Sequence, residues 1–316
     1  MNDTLIRPAA ARARRGRGIA LAFAAATVSG VAVFTNGYAV KVFDDATVYT
    51  TAKNAVAAVV LLMVALAAAG RPGKGGPPLR PRARADWLWL GLLGVIGGSV
   101  PFVLFFEGLA RASSTQAGFI HKTLVVWVAL LAVPLLKERL SALHVAAVVL
   151  LMWGQGALAG DLTTFTFGAG ELMVLGATLL WAVEFVVAKR LLGSVSPITV
   201  GTGRLGIGLV LLFGLLAVTG RLGAMLSFDA AQLGWVVLTG AILAGFVGTW
   251  YAALARAQAV DVTAVLVFGA VVTATLAGAF QDAPLGSRSL GLVLVGAGAA
   301  AAAAGALRGV GLGTAP

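Results

Sequence analysis

Ten apolar runs, each about twenty residues long and separated by short charged or Pro/Gly-rich breaks, restrict what this chain can fold into. A run of that length spans a hydrocarbon core of about 30 Å as an α-helix rising 1.5 Å per residue. Charged residues are only 11% of the chain and hydrophobic ones 59%, with a mean hydropathy of +0.97. A soluble domain carries about 25% charged residues, so polar side chains here are too few to cover a water-facing surface. The strands of a membrane barrel alternate apolar and polar over about ten residues; the runs 56–69 and 145–159 do not alternate. The expected fold class is therefore an all-α integral membrane protein.

Charges, Pro/Gly punctuation and apolar length place ten transmembrane helices near 18–38, 47–69, 87–107, 114–135, 141–160, 168–189, 197–219, 231–252, 259–281 and 287–307. The Arg-rich start (Arg7, Arg12, Arg14, Arg15, Arg17) followed by an apolar stretch superficially resembles a signal peptide. The stretch from Gly18 to about Tyr38 is long enough to be the first span, which leaves 1–17 as a basic cytoplasmic tail. Segment 70–86 has the Pro, Gly and Arg content of an exposed loop, and 309–316 reads as a disordered tail. With the N-terminus inside, sixteen Lys and Arg fall in cytoplasmic segments and four (Lys41, Arg111, Arg221, Arg288) outside. By the positive-inside rule both termini are cytoplasmic, as an even span number requires.

The chain also repeats itself. Phe105 to Ala112 (FFEGLARA) aligns with Trp250 to Ala257 (WYAALARA), each at a span end. A shift of 151 residues pairs Thr27 with Thr178, Thr51 with Thr202 and Lys53 with Arg204. Two five-helix repeats are expected, 18–160 and 168–308. Five spans per repeat give the halves opposite orientations, so equivalent loops should differ in charge. Loop 70–86 holds five cations against Arg221 in its partner, and Leu136-Lys137-Glu138-Arg139 is matched by Gln281-Asp282-Ala283-Pro284, which has none. Inverted repeats around a central cavity are the architecture of many secondary transporters.

The LARA-type ends of spans three and eight, the Leu136-Lys137-Glu138-Arg139-Leu140-Ser141 stretch after span four, and a cation early in the second span of each half (Lys53, Arg204) carry a family resemblance. Together with the five-plus-five repeat, they make the sequence resemble the drug/metabolite transporter superfamily, specifically its EamA-type transporters. The second half departs from the pattern, with Ala283-Pro284-Leu285-Gly286 where the first has Glu-Arg-Leu-Ser. The resemblance implies a ten-helix basket with a central cavity and movement of metabolites, amino acids or drugs.

A charge at the bilayer centre costs about 2.5–3.5 kcal/mol on insertion scales, so intramembrane charges are the first candidates for a solute site. Lys122 is too deep in span four to reach the interface easily. It requires either a counter-charge, with Glu184 and Glu107 as the candidates, or an acidic solute. His121 points about 100° away from Lys122, either as a neutral hydrogen-bonded ring or as a proton-coupling group. Lys53 and Arg204 fit helix anchoring by snorkelling, with a pore-facing role as the alternative. Trp181 and Glu184 share a helix face; that pairing could hold an organic cation but fits helix packing better. Asn36 is a further cavity candidate, while Tyr38, Trp250 and Tyr251 read as interfacial aromatics. Gly94 with Gly98 and Gly201 with Gly206 read as close helix contacts.

Other functions are poorly supported. Net charge +11 comes mostly from the N-terminal tail and one loop, which argues against a nucleic-acid partner. The absence of cysteine removes disulfides, thiolate catalysis and Cys-ligated metal. No HExxH or GxSxG occurs, and His144 lies at the start of span five rather than beside His121, so no catalytic residue, metal or cofactor is assigned. The expected function is secondary transport, as an exporter, of an acidic or zwitterionic solute across a plasma-membrane bilayer. The alternative is an exporter of cationic drug-like compounds using Glu184, with an intramembrane enzyme or channel more remote. A homodimeric partner stays open.

Overall fold

The computed structural model describes residues 3–69, 81, 83–112, 114–159, 167–280 and 289–308. The expected loop 70–86 lies mostly outside the described residues, and the expected tail 309–316 wholly so. Among the described residues there is helix and no strand. Nine helices among the described residues are long and apolar enough to cross a membrane: Ala10–Val42, Ala46–Ala69, Arg84–Arg111, Gln116–Leu136, Ala169–Leu191, Pro197–Val218, Ala230–Leu254, Ala259–Phe280 and Ser289–Arg308. A shorter apolar helix, Ala142–Leu158, lies where the fifth span is expected. Large apolar side chains such as Met63, Val210, Leu238 and Val293 are exposed on the helix exteriors, as fits a chain whose outer solvent is lipid.

In finer detail the chain forms α1 (Asp3–Ala39), α2 (Ala46–Ala69), α3 (Arg84–Ile96), α4 (Val100–Arg111), α5 (Ser114–Lys122), α6 (Leu124–Leu136), α7 (Ala142–Ala159), α8 (Ala169–Leu191), α9 (Pro197–Val218), α10 (Ala230–Leu254), α11 (Ala259–Leu266), α12 (Gly269–Phe280) and α13 (Ser289–Arg308). Local sequence explains several ends. Ser196 caps α9 by accepting the Thr199 amide, ahead of Pro197, whose missing N–H costs nothing in a first turn. Asp229 and Gln232 cap α10 reciprocally. Residues 3–17, within the expected basic tail, are helical and continuous with the rest of α1.

Three expected spans are broken. The α3/α4 span opens at Gly97-Gly98-Ser99, with Pro101 in the next first turn and the Ser99 hydroxyl donating to the Gly94 carbonyl at 3.0 Å. The α5/α6 span breaks at Thr123, whose hydroxyl donates to the Ile120 carbonyl at 2.6 Å, and the α11/α12 span breaks at Val267 and Phe268. Freed backbone at membrane depth is tolerated where protein covers it or where it lines a cavity.

Helix packing respects the repeat. With α1 equated to α8, α2 to α9, α3/α4 to α10, α5/α6 to α11/α12 and α7 to α13, each major packing has its exchange partner. The α1–α10 contact matches α8–α4, α2–α10 matches α9–α3, and α1 against α11 and α12 matches α8 against α5 and α6. The α2–α9 and α7–α13 contacts map onto themselves. Backbones approach closely where glycines meet: a Cβ on Gly208 would lie 2.5 Å from the Gly98 carbonyl carbon, and one on Gly269 2.8 Å from the Ala26 carbonyl oxygen. Gly94 is likewise a contact point, against Ile207, and Gly201 sits near Val247, but Gly206 faces open space.

The start of α1 packs beside the end of α13, where Gly16 meets Leu307, so both ends of the described residues lie on one face, here called the terminal face. Polar contacts tie the two halves together there. Glu138, just after α6, accepts the first amides of α11, Ala259 at 2.6 Å and Val260 at 3.1 Å. Burial pushes its carboxyl above the ordinary range, against the opposing pull of those amides and of Lys189. Ser141 donates its backbone N–H to His144 Nδ1 at 3.1 Å, which leaves Nε2 to carry the proton toward Asp261 Oδ1 at 2.8 Å. Arg14 donates to the Ala255 carbonyl at 2.8 Å, and Lys189 to the carbonyls of Leu254 and Ala257.

Candidate functional site

A cavity of about 330 Å³ lies between the halves. From α1 it is lined by Ser29 to Gly37, and from the distant ends of α4 and α5 by Leu109 and Gly118. It therefore sits toward the face opposite the chain ends. On the terminal side the helices close over a packed core that includes Ile19, Ala22, Ala132, Ala188 and Leu191. The walls are mainly apolar and include the aromatic rings of Phe102, Phe105, Phe106, Trp181, Phe246 and Trp250.

Two buried cations enter this cavity from equivalent places in the repeat. Lys53 and Arg204 are each seven residues into their helices, counted from Ala46 in α2 and Pro197 in α9, and each is 3% exposed. Snorkelling to an interface is thus excluded for both: they point into the protein, where neighbouring helices enclose them. Their partners differ. Arg204 forks onto Glu184, its Nε to one carboxylate oxygen and its Nη2 to the other at 3.1 Å. The Tyr251 hydroxyl donates to the same carboxylate at 2.7 Å. Lys53 instead donates to the neutral amide oxygen of Asn36 at 3.0 Å, and the Tyr49 hydroxyl donates to that oxygen at 2.6 Å. The Lys53 ammonium lies over the Phe106 ring at 3.9 Å. Tyrosine, acceptor and cation recur in both halves, but only the second half supplies a negative charge.

Lys122 lines the same cavity and has no carboxylate partner among the described residues. Neither counter-charge expected for it is available. Glu184 is taken by Arg204, and Glu107 lies outside the cavity lining, pairing with Arg111 at 2.6 Å and accepting the Thr47 hydroxyl at 2.6 Å. The His121 ring packs edge-on against Phe105 and Trp181, each at 5.1 Å, and its Nδ1 is buried without a hydrogen-bond partner.

Trp181 packs against Phe102 and Phe105 and donates to the Gly97 carbonyl at 3.4 Å. Glu184 turns to Arg204, and the break at Gly97 makes room for it: a Cβ there would collide with the carboxylate. The aromatic-plus-carboxylate cage considered for an organic cation is therefore not formed. Asn36 lines the cavity as expected. Trp250 and Tyr251, expected as interfacial aromatics, are instead buried: Trp250 lines the cavity, and Tyr251 packs against Glu184. Tyr38 is partly exposed and stacks on Trp235.

The balance of donors and acceptors defines what this cavity can hold. The carboxylate of Glu184 accepts three donors, and the amide oxygen of Asn36 accepts two. Thr239 and Thr263 donate to carbonyls of their own helices. Arg204 Nη1 and Trp250 Nε1 are buried donors without partners, and the ammonium groups of Lys53 and Lys122 have N–H bonds to spare. Donors and positive charge are in surplus.

The family model of the EamA-like transporter family matches this chain twice, over residues 16–156 and 168–303. Solved structures share its shape. One, titled only "Crystal structure of protein", is similar with a TM-score of 0.71 over 92% of this chain and 98% of that one, at 19% sequence identity, which speaks for the fold alone. No curated protein matches.

Proposed function

The chain belongs to the EamA-like transporter family, and on that premise we propose that it exports an acidic or zwitterionic small organic solute by alternating access between two inverted five-helix halves. Its membership makes it a membrane transporter; the solute, the direction and the mechanism are our reading. Ten crossings are supported by the nine long apolar helices, the shorter helix α7 and the proximity of the two chain ends, which calls for an even number. An odd five per half inverts one half against the other. The exchange of packings between halves accords with that arrangement, and the Lys and Arg distribution favours cytoplasmic termini in the plasma membrane.

The observation that carries the solute class is the uncompensated positive charge of the cavity. Its lining has one carboxylate, Glu184, and that group is engaged by Arg204 and Tyr251. An anionic group would satisfy Lys122 and the spare donors around it, and charge-assisted hydrogen bonds of this kind are about twice as strong as neutral ones. An organic cation would meet like charge and no carboxylate free of a cationic partner, so export of cationic drug-like compounds through Glu184 loses its support.

Ligand-induced thermal stabilisation of the purified protein tests this reading, because a solute that binds only the folded state raises its unfolding temperature. Organic acids and amino acids should stabilise the wild type, cationic amphiphiles should not, and Lys122→Met should weaken the response to acids. Stabilisation by cations alone, or an unchanged response in Lys122→Met, would contradict it.

A further inference from the structure

We infer that the solute carries two anionic groups held apart, one at Lys53 and the other at Lys122. This deepens the anion-binding reading and rests on it. Two buried carboxylates among the described residues are answered by cations: Glu184 meets Arg204, and Asp261 meets Arg15 at 3.6 Å besides its bond to His144. Lys53 and Lys122 line a single cavity, and neither has a carboxylate partner among the described residues. One carboxylate answers one ammonium and leaves the other without a counter-charge in the same cavity, an arrangement that a site shielded from water disfavours. A second anionic group on the same solute removes the imbalance.

The geometry separates the two positions. Phe105 and Phe106 are consecutive on α4, with ring centroids 5.5 Å apart. Lys53 approaches from α2 onto Phe106, whereas on α5 the residue before Lys122, His121, packs on Phe105. The lysines come from separate helices, α2 and α5, each of which packs on α4. Between them the walls are Phe102, Trp181, Leu243 and Phe246, which suit an apolar or aromatic body. Lys53 has one N–H engaged by Asn36 and two left for a ligand.

A series of probes with one body tests the inference: 1,4-phenylenediacetate, its monomethyl ester, and phenyl phosphate, which concentrates its charge in a single head. Half-saturating concentrations are read from thermal stabilisation of the purified protein. The diacid should bind about tenfold more tightly than its monoester, the gain expected of one added charge-assisted contact. Lys53→Met and Lys122→Met should each abolish that advantage, bringing diacid and monoester to the same half-saturating concentration within about twofold. Equal binding of diacid and monoester by the wild type would overturn the two-group inference and leave the anion reading intact, whether or not the variants fold. Preference for phenyl phosphate over the diacid would overturn the separation of the groups. Stabilisation by an organic cation and by none of the three anions would overturn both readings.

Discussion

Replacing Arg204 with Met tests whether Glu184 belongs to the protein's own charge balance. Both groups are buried, and the guanidinium covers both carboxylate oxygens. Removing one partner of a buried pair costs about 3–5 kcal/mol, because the remaining charge keeps its desolvation penalty without its compensation. The Tyr251 hydroxyl, still 2.7 Å from Glu184, holds the loss near the lower end, since one hydrogen bond to a charged group is worth about 1.5–3 kcal/mol. Arg204→Met should therefore lose about 3 kcal/mol. Adding Glu184→Gln removes the stranded charge and should restore about 2 kcal/mol, so the two changes are strongly non-additive. Denaturant titration of the four proteins of this cycle in mixed micelles measures the coupling directly. Stability of Arg204→Met within about 0.5 kcal/mol of wild type, or additive losses in the double variant, would refute the reasoning.

Three further outcomes follow from other contacts. Glu138→Gln leaves one acceptor oxygen for the Ala259 and Val260 amides and should cost about 1–3 kcal/mol in the same titration. Because burial raises the Glu138 carboxyl, the folded state holds this proton more tightly than the unfolded one. Wild-type stability should therefore fall as pH rises through the window just above the ordinary carboxylate range, and Glu138→Gln should flatten that part of the profile. Gly208→Ala drives a methyl group to 2.5 Å from the Gly98 carbonyl carbon, so a loss of about 1–3 kcal/mol is expected as a lower unfolding temperature. Lys53→Met removes a buried ammonium that has no carboxylate partner, and the ligand-free variant should melt at or above the wild-type temperature.

Apolar run length and charge placement made the helices legible because lipid leaves a chain few alternatives. The expected span 197–219 is observed as Pro197–Val218, and 47–69 as Ala46–Ala69. The breaks at Gly97, Thr123 and Val267 were not foreseen. Hydropathy averages over a run and does not register where a backbone leaves the helix, although Gly97-Gly98-Ser99 followed by Pro101 carries a local signal. The ion pair was misassigned for a different reason. Depth pointed Lys122 to Glu184 and sequence proximity to Glu107, yet Glu184 lies seven residues before the end of α8 at Leu191, and Arg204 seven after the start of α9 at Pro197. Two positions equidistant from a tight helical turn fall at equal depth in adjacent helices, and that rule would have found the pair. Trp250 and Tyr251 were misplaced because an aromatic near a span end looks the same in sequence whether it faces lipid or a cavity.

Solute counterflow in liposomes containing only this protein bears most directly on the central claim. Vesicles preloaded with an excess of the tightest-binding organic acid from the stabilisation panel, then diluted into a trace of the labelled acid, should accumulate label transiently, and Lys122→Met should not. The same prediction separates transport from mere binding, since exchange requires the site to open alternately to both faces. Absence of counterflow for every acid that stabilises the wild type, or counterflow of an organic cation unaffected by Lys122→Met, would contradict the account.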